Sequence, residues 1–368
     1  MYVVASLIVA AWVTLYPRLL EAYQEPVNPP IVASLCRYGE EPGTWLDLPS
    51  MEALQPYPLQ RMRLVPDDKL PHKKVGGRWQ LYNKDCQLSN RIRADLLDPP
   101  QPDAPTPRTN VFFIGDSIDG LTLEYTCYHY AREYGINITR DVECPPIPCL
   151  HTGNVALAGS APNHCITERF AMFHRFVATA NPEEVDFNEL LGLMIFYLEK
   201  FSGVKEPQLV VMGLEFWELA HLSWDVNRTY EQVNMDHTFL PKWWLESFRQ
   251  NYTSLIRLVR QKLPSALIVV RTNAFPWYDC QDGKPQERKG WAKKMFVGQM
   301  NAAIRATARE LNLPLIDVAA MSEGMVPQQY LNPGDYVHSL HWLNLEAFNI
   351  ALNILHQYTA VTTASNSR

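Results

Sequence analysis

Ser117 closes the tripeptide Gly115-Asp116-Ser117, directly after the apolar run Val111-Phe-Phe-Ile114 and before a stretch expected to be helical. A serine at the C-terminal end of a buried parallel strand lies in the crevice where α/β proteins bind ligands. At a helix N-terminus the neighbouring backbone N–H groups can stabilise an oxyanion. The competing reading is an N-cap serine, a role this residue type fills well. Position alone leaves the two open. Near the other end of the chain, Asp335 and His338 stand in Gly-Asp-Tyr-Val-His, just before the last expected helix. A serine hydroxyl needs a base to take its proton, and imidazole is the usual one. The imidazole in turn needs a carboxylate to hold its tautomer. A D-x-x-H turn by itself also fits a solvated loop. With a strand–Gly-Asp-Ser–helix unit in the same chain, the pair points to nucleophilic acyl transfer.

These residues must be held by regular elements. Strands are expected at 111–114, 209–212, 266–270 and 315–317, from short apolar runs. Helices are expected at 118–134 and 295–311, and from Asn344 to about Tyr358. Strands alternating with helices imply a central parallel sheet flanked by helices, a three-layer α/β fold. Residues 24–108 are rich in proline, poor in long apolar runs and end in the linker DPPQPDAPTPRT. They are expected to form an irregular, disulfide-tied segment ahead of a catalytic domain at 109–360.

Composition narrows the function further. The chain has 368 residues, 47% hydrophobic and 20% charged, with a net charge of −6 and no long basic run. That excludes general disorder and argues against nucleic-acid binding. Neither a P-loop nor G-x-G-x-x-G occurs. The seven cysteines include no C-x-x-C pair, so no metal site is expected. In an oxidising compartment they form up to three disulfides. Cys36 with Cys86 would staple the N-terminal segment, while Cys144, Cys149 and Cys165 crowd one loop region. Residues 2–16 are almost wholly apolar. They suit a signal peptide or signal anchor at 1–23, being short of the roughly 20 residues that span a bilayer. Sequons at Asn137, Asn227 and Asn251 offer glycosylation sites. Together these features predict a secreted protein, or one facing the Golgi or ER lumen from a membrane anchor.

The chain resembles the SGNH/GDSL-type hydrolase superfamily. Gly115-Asp116-Ser117 matches its first block and Asp335-x-x-His338 its last. Within it the PC-esterase and trichome-birefringence-like branch is most similar, with its N-terminal anchor, cysteine-tied segment and theme of carbohydrate O-acylation. The resemblance covers roughly 109–358. It extends through Leu214-Glu-Phe-Trp-Glu-Leu-Ala220, Arg271-Thr-Asn273 and Gln299-Met-Asn-Ala-Ala303 with Leu315-Ile-Asp317. It implies Ser117 as nucleophile, His338 as base and Asp335 as its orienter. The oxyanion hole would use the Ser117 N–H and a glycine, for which Gly159 is the candidate. Two departures stand out. The family's third block is G-x-N-D, whose asparagine donates to the oxyanion, but this chain reads Gly213-Leu-Glu215, and an ionised carboxylate cannot donate. His341-Trp342 is a rival for the base, because the plant branch places tryptophan directly after its histidine. Spacing from Asp335 favours His338.

Trp217, Trp224, Trp243 and Trp244 form either a sugar-stacking platform or ordinary aromatic packing. Glu215 and Glu218 are spaced too closely to fit glycosidase geometry well. The expected activity is serine-dependent acyl transfer on glycan O-acyl groups, as an esterase or O-acetyltransferase, with no cofactor. Its partner would be a carbohydrate or other acyl-ester substrate. The alternatives are a catalytically inactive carbohydrate-binding or scaffold protein, and a lipid esterase.

Overall fold

A computed structural model describes residues 36–47, 77–97, 108–133, 149–151, 162–214, 216–224, 239–276, 293–325, 330–331 and 337–366. The strands among them are β1 (Gly43–Asp47), β2 (Gly77–Leu81), β3 (Thr109–Gly115), β4 (Cys149–His151), β5 (Asn163–Ile166), β6 (Phe170–Phe176), β7 (Leu209–Gly213), β8 (Leu267–Arg271) and β9 (Leu315–Ile316). The helices are α1 (Ser117–Glu133), α2 (Phe187–Ser202), α3 (Phe216–Trp224), α4 (Lys242–Lys262), α5 (Lys294–Glu310), α6 (Val318–Ser322) and α7 (His341–Asn366). A π-helical turn spans Ile92–Leu97.

The main sheet has the order β4-β5-β6-β3-β7-β8-β9. From β6 to β9 every pairing is parallel, as expected. The β4–β5–β6 edge is antiparallel and departs from that expectation. The reason is local: only three residues join β5 to β6, and the Thr167 hydroxyl accepts the Arg169 and Phe170 N–H groups to close the turn. So short a connection permits only an antiparallel neighbour.

Alternation along β3 builds two cores. Phe112 and Ile114 face one side, with α2, α4 and α5. Val111 and Phe113 face the other, with α1, α7 and the π turn. Side chains on a strand alternate between faces, so one apolar run serves both layers. On the first side, Asp186 caps α2 by accepting the Asn188 and Glu189 N–H groups, and Gly203 ends it at φ 71°. That left-handed conformation suits glycine, which has no Cβ to clash.

The described part of the N-terminal segment is more regular than expected. β1 and β2 pair antiparallel, and Cys36 is bonded to Cys86, as the sequence suggested. This segment docks on α7. Trp45 meets both Trp79 and Trp342 edge-on, at 5.1 and 4.8 Å between ring centroids. Arg78 pairs with buried Glu346 at 3.0 Å, and the Trp79 N–H donates to the same carboxylate. Farther along α7, Asn349 accepts the Arg91 N–H and Asn353 accepts that of Ser89. α7 exceeds the span expected from Asn344 to about Tyr358 at both ends, and at its start Trp342 is buried against Trp45. It begins at His341 and runs on to Asn366, carrying polar side chains that the segment satisfies.

Candidate active site

Ser117 is the first residue of α1, at the C-terminal end of the central strand. The preceding Asp116, not Ser117, caps the helix: its carboxylate accepts the Ile118 N–H at 3.0 Å. The serine hydroxyl is turned to another partner. Ser117 Oγ lies 2.6 Å from His338 Nε2. In the tautomer that carries its proton on Nδ1, the imidazole accepts the hydroxyl hydrogen, the arrangement a base needs.

His338 is held by the chain around it. Ser339 bridges antiparallel to Leu331, and the Leu340 N–H donates to the Tyr330 carbonyl at 2.6 Å. Val337 on its other side is buried in the core. His341 goes elsewhere. It opens α7 and lies edge-on to Tyr125 of α1, with 5.9 Å between centroids. Trp342 is buried against Trp45. Asp335, Gly159 and Glu215 lie outside the described residues, as do Asn137, Asn227 and Cys144.

Beneath the serine runs a buried ionic network that sequence reasoning did not single out. Arg271, at the end of β8, makes two hydrogen bonds to Asp119, at 2.8 and 2.9 Å. It also donates to Asn273 and lies 3.6 Å from Asp116. Gly115 and Gly213 make room for this network. A Cβ on Gly115 would collide with Asp119, and one on Gly213 with the Arg271 guanidinium. Burial pushes the Asp116 carboxyl up to about 6, against the opposing pull of Arg271. The available signal was an arginine directly after the apolar run Leu-Ile-Val-Val, where a buried cation demands a carboxylate partner.

On the other flank His174, from β6, lies against the same turn. Its Nε2 is 3.0 Å from the Asp116 carbonyl and 3.3 Å from that of Gly115. This residue also escaped the sequence reading.

Other sequence candidates fall into structural roles. Glu218 is buried and accepts hydrogen bonds from the Ala180 N–H and, at 3.2 Å, the Thr179 hydroxyl. Burial pushes its carboxyl up to about 7. It braces the chain after β6. Trp217 packs edge-on against Phe176, and Trp244 stacks on Phe248, whereas Trp243 is exposed. Cys165 was expected near Cys144 and Cys149, but it is bonded to Cys127 of α1. That bond joins α1 to the antiparallel edge across 38 positions, a pairing that no local spacing signals. Asn251 lies within α4, followed by buried Tyr252 and Thr253. Cys36, Glu41 and Cys86 are residue types that bind metals, but both sulfurs are committed to the disulfide. Among the described residues no helix is long and apolar enough to cross a membrane. The expected anchor at 1–23 lies outside them.

No family model and no curated protein matches the chain. Solved structures do. An acetyl-xylooligosaccharide esterase mutant from Geobacillus stearothermophilus is 16% identical with a TM-score of 0.35, over 66% of this chain and 94% of that one. A GDSL-like lipase from Bacteroides thetaiotaomicron is 14% identical with a TM-score of 0.34, over 70% and 89%. One from Parabacteroides merdae, described as putative, is 13% identical with a TM-score of 0.37, over 68% and 96%.

Proposed function

We propose that this chain is a serine-dependent acyl-ester enzyme acting on O-acyl groups of a glycan, the acetyl group first among them. The reading is supported above all by the 2.6 Å contact between Ser117 Oγ and His338 Nε2 at the C-terminal end of the sheet. A serine that merely capped its helix would turn its hydroxyl to the N-terminal N–H groups, a task Asp116 performs instead.

In the proposed reaction Ser117 Oγ bonds to the acyl carbon as its proton passes to His338 Nε2. The oxyanion forms beside the Ser117 N–H, which at the start of α1 has no partner within the helix. Collapse breaks the bond to the sugar oxygen, which takes the proton back from His338. Water or a second sugar hydroxyl then attacks the acyl carbon as His338 removes its proton, and the bond to Ser117 Oγ breaks as His338 returns that proton to the serine oxygen. Water makes the enzyme an esterase and a sugar hydroxyl makes it a transferase. Asp335, three positions before His338, is the proposed carboxylate for Nδ1–H. The two disulfides suit an oxidising, secretory-type compartment, where acylated glycans are made and displayed.

The test is labelling with a fluorophosphonate, followed by peptide mapping and turnover of 4-nitrophenyl acetate and of acetylated xylo-oligosaccharides. Modification at Ser117 with release of acetate supports the reading. An unlabelled, folded protein that leaves every ester intact overturns it in favour of a binding protein.

A further inference from the structure

The Asp116–Ser117 peptide is gripped from behind. Its carbonyl faces His174 Nε2 at 3.0 Å, and the Gly115 carbonyl lies 3.3 Å from the same nitrogen. Carbonyl oxygens only accept, so Nε2 carries the proton and donates to both. Nδ1 is then the acceptor, and the Asn163 side-chain amide lies 3.3 Å from it. The arrangement is built in. Asn163 and His174 are directly paired across β5 and β6. His174 is buried, and burial holds its imidazole below the usual range, against the upward pull of Asp119 and the two carbonyls. Donation from Nε2 and acceptance at Nδ1 fix one tautomer of the neutral ring. Gly120 leaves space for it, since a Cβ there would come within 3.0 Å of His174 Cε1.

The consequence lies on the far side of the peptide. A trans peptide is planar, with N–H and C=O pointing in opposite directions. The Asp116 carbonyl also accepts the Gly120 N–H at 3.3 Å, the first hydrogen bond of α1. The His174 donor fixes the same oxygen from a second side and, by polarising the amide further, makes the Ser117 N–H a stronger donor. This matters here because Glu215 stands where the resemblance implies an asparagine donor.

We propose that His174 is a positioning residue that orients and polarises the Asp116–Ser117 peptide, so that the Ser117 N–H serves as the principal oxyanion donor. This rests on the serine-enzyme reading above. His174 does not touch the reacting atoms; it acts through the peptide bond. Its contribution belongs to the transition state, where oxyanion charge develops, and not to substrate binding.

The experiment measures kcat and KM for 4-nitrophenyl acetate on the full chain with His174→Leu, His174→Gln, Gly120→Ala and Ser117→Ala, with folding checked by circular dichroism. His174→Leu is expected to lower kcat about 30–100-fold, somewhat less than direct loss of an oxyanion donor, with KM within about twofold of wild type. His174→Gln keeps a donor and an acceptor on one side chain and recovers at least about tenfold of that loss. If His174→Leu does not fold, Gly120→Ala, which presses the ring by a few tenths of an ångström, must show a smaller loss that is likewise confined to kcat. A folded His174→Leu with kcat within about threefold of wild type overturns the proposal, while an inactive Ser117→Ala keeps the serine mechanism standing. Equal losses in His174→Gln and His174→Leu, or a change carried mainly by KM, overturn it as well, because either marks a structural role only. Absence of both labelling and turnover in wild type overturns the serine reading and this proposal with it.

Discussion

Ser117 Oγ and His338 Nε2 are 221 positions apart in the chain and 2.6 Å apart in space. If they act as a unit, either alanine substitution lowers ester turnover at least about 10³-fold. The Ser117→Ala/His338→Ala double variant is then little worse than either single one. Initial rates of 4-nitrophenyl acetate hydrolysis by the three purified proteins decide it. Additive losses would show that the two residues do not share a step.

His341 gives the contrasting expectation. It packs on Tyr125 at the start of α7, whereas His338 is the histidine against the Ser117 hydroxyl. His341→Ala should keep turnover within about threefold of wild type and lose about 1–2 kcal/mol of stability. Turnover and urea midpoints of the same preparation separate the two effects. An inactive but stable variant would move the role of base to His341.

The Arg271–Asp119 pair is buried, so removing one partner strands the other. Arg271→Met is expected to cost about 3–5 kcal/mol, because Asp119 and Asp116 lose their cation. Adding Asp119→Leu should recover part of that loss. Chemical denaturation of the single and double variants provides the comparison, and a double variant less stable than Arg271→Met would contradict it.

Glu218 makes stability depend on pH. Its carboxyl is pushed by burial from 4.5 to about 7 in the folded chain. Between those values the folded state holds a proton that the unfolded state has released. Its contribution is therefore full below about 4.5 and is lost as pH rises towards 7. Glu218→Gln keeps an acceptor for Ala180 and Thr179 and cannot ionise. The variant should lose about 1–3 kcal/mol less than wild type between pH 5 and 8. Parallel urea curves at the two pH values measure the difference; identical pH dependence would show that Glu218 does not titrate in this window.

The Cys127–Cys165 bond closes a span of 38 positions. Replacing both cysteines by serine should lower stability by about 2–4 kcal/mol. Non-reducing peptide mapping should recover the 127–165 and 36–86 cross-links from wild type. Free alkylation of all four thiols would rule both out.

Much of this architecture is legible in the chain because it is local. An apolar run ending in Gly-Asp-Ser specifies a buried strand, a tight turn and a helix start within nine residues, 111–119. Period-two alternation through Val111, Phe112, Phe113 and Ile114 then assigns each side chain to a face of the sheet. The spacing of Asp335 and His338 singled out the histidine that lies against Ser117. What distant segments do to one another was not legible. That Asp116 caps α1 and frees the Ser117 hydroxyl depends on where His338 arrives. The Cys127–Cys165 pairing depends on α1 crossing the β5 edge, and the partners of Glu346, Asn349 and Asn353 on α7 come from the distant N-terminal segment. His174 looks ordinary in sequence because the turn it holds lies 58 positions away, and the arginine after the β8 run does not reveal that its partner is Asp119, 152 positions away. A buried charge or imidazole is defined by the groups that replace its water, and only folding brings those groups to it.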